Sequence, residues 1–438
     1  MAEQKKSSGI DWIGDIPNNW EISRIKYHYQ ISLGKMLQPI QENSADTLEH
    51  YMCSANITWA GVDTSILKQM WFSPAEKRQY RLLDGDLLVS EGGDVAVSCI
   101  WRNELDECYL QNAVHRVRQN ALSDNRFIYY WLFFLKNYGI IDLICNKATI
   151  AHFTKEKFGE LPICIMSIDE QVAIADFLDK ECAQIDSIAA DLEKQIELLQ
   201  QYKKSLITET VTKGLDKSVP MKDSGVEWIG EIPEHWEISR VRHLASLCSG
   251  ATPSKDVLSY WEGNIPWVSS QEVKSDIIKD TSLHISEEAI NSCSTQLMPA
   301  GTLVMVVRSG ILQHTIPVAL LGVPATINQD IKAFQFNHLM LPAYFKYYIQ
   351  GENDALLSVI IKDKTTVESV DNQLLLSLKI MVPPIEEQKA IVAFLNYKCG
   401  YIDKILNDKQ EQLNLLMQHK KSLIYEYVTG KKRVKEVQ

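Results

Sequence analysis

The two halves of this 438-residue chain begin and end with closely similar segments. Residues 8–24 read SGIDWIGDIPNNWEISR, and residues 224–240 read SGVEWIGEIPEHWEISR. Residues 169–186, DEQVAIADFLDKECAQID, match residues 386–403, EEQKAIVAFLNYKCGYID. The first pair lies 216 positions apart and the second 217, whereas the intervening bodies, residues 25–161 and 241–380, share only traces. The sequence therefore indicates a tandem duplication: the similar ends are expected to meet one kind of partner twice, and the unlike bodies to bind different ligands.

Length, composition and charge restrict the class of protein. A chain of 438 residues with 45% hydrophobic content suits two to four folded domains. No run approaches 18 apolar residues and the N-terminus lacks an apolar signal, so we expect a cytoplasmic protein without membrane association. Nine cysteines without a Cys-x-x-Cys pair predict buried free thiols rather than disulfides or a metal site.

The net charge of −11 argues against a protein that binds nucleic acid chiefly through its own phosphate contacts. Residues 24–160, however, carry 15 Lys and Arg against 16 Asp and Glu, so the acidic excess lies mostly outside the first body. A partner could supply the basic channel.

Two long amphipathic helices are predicted, one at the end of each half. The segment from Asp169 to Lys213 contains no Gly or Pro, and its apolar residues recur every three or four positions. Ser167 and Glu170 form a capping-box pattern before it, and Gly214 follows it. A helix of this length is roughly 60 Å long. The predicted apolar stripes are Ile174, Phe177, Leu178, Ile185, Ile188, Leu192, Ile196, Leu199 and Leu206, then Ile391, Phe394, Leu395, Ile402, Ile405, Leu413, Leu416 and Leu423.

An apolar stripe on so long a helix must be buried against another surface. We expect the two helices to pair antiparallel as a coiled coil, with Ile185, Ile188 and the residues that follow them in the two stripes packing the pair and docking partners. The alternative is that each helix packs only on its own body. Gly400 indicates either a close approach or a kink.

The short segments before each body contain Pro and Gly and should be extended, with their tryptophans packed on the body. The bodies mix strand and helix signals: LLDGDLLVSEGGDVAVSCIW from Leu82 corresponds to MPAGTLVMVVRSGILQHTIPVALL from Met298, and each run precedes an aromatic-rich helix. We therefore predict an α+β fold with two globular domains related by pseudo-two-fold symmetry and separated by the helices. The predicted boundaries are 1–165, 166–214, 215–382, 383–430 and a basic tail at 431–438.

No catalytic motif is evident in the sequence. It has no phosphate-binding loop, no dinucleotide fingerprint and no nucleophile elbow. The MVPPI segment from Met381 has the two prolines of an amino-methyltransferase motif, but Val382 and Ile385 cannot supply its polar and aromatic groups. His28, His115 and His152 are isolated in the sequence. The chain is predicted to be noncatalytic and to bind no metal.

These features together resemble the specificity subunit of Type I restriction-modification enzymes. The resemblance covers almost the whole chain and is carried by IDEQVAIADFL from Ile168, IEEQKAIVAFL from Ile385, DGDLLVS from Asp84, AGTLVMV from Ala300, and SGATPSKDVLSYWEGNIPWVSSQEV from Ser249. One departure is Thr302, which stands where the first copy has Asp86, so the turn there could differ.

The resemblance implies two target recognition domains, each reading one half of a split, asymmetric double-stranded DNA sequence. It also implies two methyltransferase subunits docked on this chain, joined by restriction subunits. The DNA adenine methyltransferase and ATP-dependent endonuclease activities would belong to that complex. S-adenosylmethionine, ATP and Mg²⁺ would be bound by the partners and not by this chain.

Base reading needs polar side chains at the DNA surface. The candidates in the first body are Ser90, Glu91, Gln111 and Asn112. Those in the second are Thr252, Ser254, Lys255, Ser269, Ser270, Gln271, Arg308, Ser309, Gln313 and His314. Two other functions stay open from the residues alone: a self-contained methyltransferase or nuclease with unrecognised motifs, and a scaffold whose bodies bind proteins.

Overall fold

The computed structural model describes residues 4–145, 153–293, 295–361 and 368–434. The chain divides into two compact units, Met1–Glu193 with Glu411–Gln438 and Lys194–Gln410. Each unit contains one body and a part of each long helix. His152 lies outside the described residues.

The strands of the first unit are β1 (Lys5–Ser7), β2 (Asp15–Pro17), β3 (Glu21–Arg24), β4 (Tyr29–Leu33), β5 (Thr47–Met52), β6 (Ile57–Thr58), β7 (Gly61–Val62), β8 (Lys68–Phe72), β9 (Leu87–Ser90), β10 (Ser98–Ile100), β11 (Tyr109–Leu110), β12 (Val114–Gln119) and β13 (Pro162–Ile165). Its helices are α1 (Pro74–Tyr80), α2 (Asn125–Asn137), α3 (Ile140–Ile144) and α4 (Lys155–Glu160), followed by the long helix α5 (Ile168–Lys213).

The strands of the second unit are β14 (Met221–Asp223), β15 (Glu231–Pro233), β16 (Glu237–Arg240), β17 (Ala245–Ser249), β18 (Ile265–Val268), β19 (Ile277–Ile278), β20 (His284–Ile285), β21 (Leu303–Val306), β22 (Val318–Leu321), β23 (Thr326–Ile327), β24 (Ile331–Phe336) and β25 (Lys379–Val382). Its helices are α6 (Val241–Leu244), α7 (Glu287–Ser292), α8 (Pro342–Gly351), α9 (Asn353–Ile360) and α10 (Asn372–Ser377), followed by the long helix α11 (Ile385–Val428).

The two bodies share one topology despite their unlike sequences. In the first body the main sheet has the order β10-β9-β12-β4, and a smaller sheet has the order β11-β5-β8, in which β11 and β5 are parallel. In the second body the order β22-β21-β24-β17 recurs with β19 added at the edge, and β20-β18-β23 again contains one parallel pair. The α+β prediction is confirmed, and the duplication extends through the diverged bodies.

The first and last strands of each body pair with each other. Strand β3 pairs antiparallel with β13, and β16 pairs antiparallel with β25 in the second unit. Strands β3 and β16 belong to the similar N-terminal segments, and β13 and β25 directly precede the long helices. The similar ends of each half are therefore hydrogen-bonded to each other where the body begins and ends.

The tryptophans of the N-terminal segments pack largely as the sequence predicts. Trp20 and Trp236 are fully buried. Trp12 packs against Trp131 of α2, with a ring separation of 6.2 Å. Trp228 differs, because it is 38% exposed.

A buried glutamine anchors each long helix to its body. Gln171 donates to the backbone oxygens of Leu122 and Met166, both at 3.1 Å, and accepts from the backbone N–H of Asp124 at 3.2 Å. Gln388, 217 positions later, makes the equivalent three bonds to Leu339, Pro383 and Leu341, each at 2.8 Å. The DEQ and EEQ segments are therefore alike because their glutamine ties together the two loops on which the helix begins.

The long helices pair antiparallel within each unit. In the first unit Phe177 packs on Tyr427, with ring centroids 4.4 Å apart, and Asp186 contacts Lys420. In the second unit Gln195 contacts Lys409 and Lys203 contacts Asp403. Positions rise along α5 as they fall along α11 in both units, which confirms the antiparallel coiled pair.

The predicted stripe is wrong at Ile188, which is 52% exposed. Ala189 lies in the seam instead and is 8% exposed. Seam positions follow one another at alternating steps of three and four residues, here Cys182, Ile185, Ala189 and Leu192. Ile188 lies outside this series, at the edge of the contact face. Ile185, Ile402 and Leu423 are buried, whereas Leu192, Ile196, Leu199, Leu206, Ile405, Leu413 and Leu416 are half-buried.

Two local questions raised by the sequence are resolved. No atom lies within 4 Å of a Cβ built on Gly400, so this glycine does not mark a close approach, and α11 continues unbroken through it. Gly85 and Gly301 have φ values of 82° and 84°, so the turn is the same in both bodies despite Thr302. Asp86 pairs with Arg118, while the Thr302 hydroxyl donates to Pro299 O at 2.8 Å.

None of the described helices is long and apolar enough to span a bilayer. Six of the nine cysteines are buried.

Candidate nucleic-acid interface

In both bodies the small sheet contains one parallel pair of strands. A polar turn leads from one strand of that pair to an inner strand of the main sheet. In the first body this turn contains Gln111 and Asn112, and it connects β11 to β12. Gln111 is held in place because its amide donates to Asn112 Oδ1 at 2.5 Å and its carbonyl accepts from Ala113 N–H at 3.0 Å. Both side chains are half-buried, so the two amides form a preorganised polar surface.

The turn packs tightly against the loop that follows β4. A Cβ built on Gly34 would lie 2.4 Å from the Gln111 backbone, so only glycine permits this approach. In the second body Gly250 stands at the same place, where a Cβ would lie 1.6 Å from Ile327 O. This glycine is the same in both bodies because the close approach is common to them.

Ser90 and Glu91 lie beside this turn at the end of β9 but point to different surroundings. Ser90 is buried and its hydroxyl donates to Gly92 O at 2.8 Å, which argues against the predicted contact with bases. Glu91 is half-buried, with a carboxylate oxygen 3.9 Å from Nε2 of the buried His115. Burial lowers the pKa of His115, which favours the neutral ring.

The second body places a larger polar cluster at the equivalent strand ends. The turn between β23 and β24 contains Asn328, Gln329 and Asp330, which sequence reasoning missed. Thr252 donates to Gln329 Oε1 at 2.6 Å, and Arg308 Nε lies 2.8 Å from Asp330 Oδ1. The Arg308 side chain is 58% exposed, so its fork of donors is presented to solvent where it could bind a guanine edge.

A cleft of about 750 Å³ adjoins this cluster in the second unit. Ser270, Gln271, Ser309 and His314 line it, so the structure brings together four of the predicted residues. Asp276 also lines the cleft, and Lys346 lowers the pKa of that carboxyl even though burial opposes the shift.

The remaining candidates lie around these groups in the second unit. Gln313 donates to Glu368 Oε1 at 2.9 Å, a partner that the sequence did not indicate. Lys255 is exposed, and Ser254 accepts the indole N–H of Trp261 at its backbone oxygen, 3.0 Å away. Ser269 is half-buried and its carbonyl accepts from Glu272 N–H at 3.0 Å.

The missed residues carried only a weak signal. Asn-Gln-Asp at 328–330 separates two β-like runs, as any polar turn does. Its correspondence to Gln111-Asn112 appears only when β23 and β24 are matched to β11 and β12.

No catalytic constellation accompanies these polar surfaces among the described residues. Groups of three or more His, Cys, Asp or Glu with metal-binding geometry are absent from them. His115 is enclosed and bonded to Phe153 O at 2.7 Å, and His28 contacts the Ser23 hydroxyl at 2.8 Å. The arrangement is a pair of related polar surfaces on a repeated frame.

Comparison with protein families gives the same repeat. Residues 18–198 and 233–415 each match the Type I restriction modification DNA specificity domain. The chain therefore belongs to this family and carries the domain twice, as a DNA specificity subunit of a Type I restriction-modification system.

Individual relatives agree with that assignment. The chain is 31% identical over 279 residues to the Type I restriction enzyme EcoR124I/EcoR124II specificity subunit of Escherichia coli, covering 62% of each protein. It is 23% identical over 440 residues to the Type I restriction enzyme MjaVIII specificity subunit of Methanocaldococcus jannaschii, covering 96% of this chain and 95% of the relative.

Solved structures share the fold. A chain from a structural study of complex assembly and conformational transition of the type I R-M system superposes with a TM-score of 0.72 at 15% identity, covering 95% of this chain and 99% of that one. The HsdS subunit from Thermoanaerobacter tengcongensis gives a TM-score of 0.51 at 14% identity, covering 95% and 98%.

Proposed function

We propose that this chain is the noncatalytic subunit that selects the DNA sequence for a Type I restriction-modification complex, with each body reading one part of a bipartite, asymmetric target. The observation that carries the proposal is the contrast between the two strand-end surfaces. One topology places Gln111 and Asn112 in the first body and Asn328, Gln329 and Asp330 in the second. The same scaffold thus presents different hydrogen-bonding groups, as two different half-sites require.

The repeated parts of the chain would dock two copies of a methyltransferase subunit. The buried glutamine anchors and the paired helices recur with nearly the same spacing, so each copy of the partner would meet an equivalent surface. Restriction subunits would complete the complex. S-adenosylmethionine, ATP and Mg²⁺ would be bound by those partners, because the sequence of this chain has no phosphate loop or methyltransferase motif.

Adenine methylation requires extrusion of the base from the helix, which the methyltransferase would perform at a position set by this chain. The net charge of −11 fits this division of labour, since phosphate contacts would come largely from the partner.

The test compares the purified chain with its complex containing a Type I methyltransferase subunit. We expect the complex to transfer labelled methyl groups to adenine in one bipartite sequence and the chain alone to transfer none. Turnover by the chain alone would support a self-contained enzyme. Assembly without retention of any specific duplex at moderate salt would support a protein-binding scaffold.

A further inference from the structure

The loop after β4 presents aliphatic side chains to solvent. Met36 is 76% exposed, Leu37 is 56% exposed and Ile40 is 74% exposed. Single exposed apolar residues are ordinary, but several within five positions of one loop form a local apolar surface of the kind that marks a binding site.

This loop is held in place by its own polar residues. The Lys35 side chain is only 7% exposed, and its ammonium donates to Gln38 Oε1 at 2.5 Å and pairs with Glu76. The backbone oxygen of Gln38 accepts the backbone N–H of Trp71 at 3.0 Å. The exposed aliphatic groups are therefore carried by a preorganised segment.

The loop begins beside the polar turn of the first body. Lys35 N–H donates to Leu110 O at 2.9 Å, and Asn112 N–H donates to Lys35 O at 2.8 Å. Together with the close approach of Gly34 to Gln111, these bonds place the start of the aliphatic loop beside the candidate amides.

The segment after the corresponding glycine of the second body carries different residues. The loop after β17 follows Gly250 and presents Leu258, which is 73% exposed. The indole N–H of Trp261 fixes this loop by donating to Ser254 O at 3.0 Å. The segment after the shared glycine is therefore held in place in both bodies, but its exposed aliphatic residues differ between them.

We propose that Met36, Leu37 and Ile40 form a wedge that inserts into duplex DNA beside the bases read by the first body. This inference rests on the proposed function. Apolar side chains inserted at a base step unstack it and bend the duplex, which lets a protein contact more of its surface. Local unstacking also lowers the cost of extruding a neighbouring base.

Duplex DNA is the occupant that these observations favour. A methyltransferase that binds twice should meet surfaces that are alike in both halves, as the segments at the ends of the bodies are. Residues 36–40 of the first body, MLQPI, have no match among the residues that follow Gly250, as expected for a ligand whose two halves differ.

The test uses the assembled methyltransferase complex, with the variant Met36→Ser/Ile40→Ser. The matched control is Leu122→Ser, because Leu122 is 69% exposed and follows the opposite end of β12. We expect the wedge variant to bind the specific duplex about tenfold or more weakly, and nonspecific duplex as the wild type does. The control variant should match the wild type on both duplexes.

A second readout reports the unstacking itself. 2-Aminopurine is placed at successive positions of the target, other than the methylated adenine. Its fluorescence should increase at one base step when the wild-type complex binds, and should not increase with the wedge variant. If the variant has the same affinity and the same fluorescence increase as the wild type, the proposed wedge is overturned. Loss of the methyltransferase from the variant complex would show a protein-docking loop and also overturn it. Failure of the wild-type complex to bind any specific duplex would instead contradict the proposed function.

Discussion

Lys420 donates to both carboxylate oxygens of Asp186, at 2.6 and 2.7 Å, and the same pair recurs one repeat away as Lys203 and Asp403 at 2.5 Å. Each lysine occupies a seam position of its helix, and the Lys420 side chain is only 12% exposed. The repeated pair fixes the register of the antiparallel helices, in the way that a polar seam residue does in a coiled coil.

A double-mutant cycle of Lys420→Ala and Asp186→Ala should give a coupling energy of about 1 kcal/mol, at the upper end for ion pairs that keep some contact with solvent. Urea denaturation of the four proteins measures it. The same cycle on Lys203 and Asp403 should agree within error, and additive effects in both cycles would contradict the register role.

Replacement of the glutamine anchor should destabilise the first unit. Gln171→Ala removes three hydrogen bonds and leaves buried backbone groups without partners, which costs about 1–3 kcal/mol. Gln200→Ala, at an exposed position of the same helix, should change the free energy of unfolding by less than about 0.5 kcal/mol. Equal stability of the two variants in urea denaturation would show that the anchor does not hold the helix.

The corrected helix seam predicts opposite sensitivities at neighbouring positions. Ala189→Asp places a charge in the buried seam and should lower the free energy of unfolding by about 2 kcal/mol or more. Ile188→Asp places the same charge at an exposed edge and should change it by less than about 0.5 kcal/mol. Circular dichroism during thermal unfolding distinguishes the variants, and the reverse ranking would restore the stripe predicted from sequence.

Glu352 should make the second unit less stable as the pH rises. Burial raises the pKa of its carboxyl from 4.5 to about 7, and the cleft beside it is lined by Lys204, Glu209 and Lys213. Because the folded state binds the proton more tightly than the unfolded state, the stabilising effect of protonation is fully present below pH 4.5 and is lost as the pH rises to about 7.

The neutral variant Glu352→Gln should therefore be more stable than the wild type at pH 8, by roughly 1–2 kcal/mol after allowance for partial solvation. The two proteins should converge as the pH falls towards 4.5. Glu234→Gln, at an exposed position, serves as the control in the same urea titrations. A pH-independent difference between the variant and the wild type would rule out titration of Glu352 as its cause.

The long helices were predictable because their signal is local and long. Ser167 accepts the N–H of Glu170 at 3.3 Å, as the capping pattern predicts, and α5 ends at Lys213 before Gly214. The exclusion of Ile188 from the helix seam was not predictable from hydrophobicity alone, since Ala189, which occupies the seam instead, is small. Its position follows from contacts with a helix that begins at Ile385.

The candidate interface was only partly predictable because it depends on how distant strands pair. Gln111 and Asn112 were among the candidates, and the structure places them in the turn that links the small sheet to the main sheet. Ser90 is buried, as are all four residues of β9, and that burial could not be predicted from its place in the sequence. Gln329 became a candidate only in the structure, where it contacts Thr252, a residue 77 positions away in the sequence.

The most direct test of the central claim replaces residues 25–160 with the corresponding body of another Type I specificity subunit. The methylated sequence is then determined by genome-wide adenine methylation mapping in cells that express the complex. We predict that one half of the bipartite target changes and the other half is retained. A change in both halves, or in neither, would contradict the account in which each body reads its own part of the DNA.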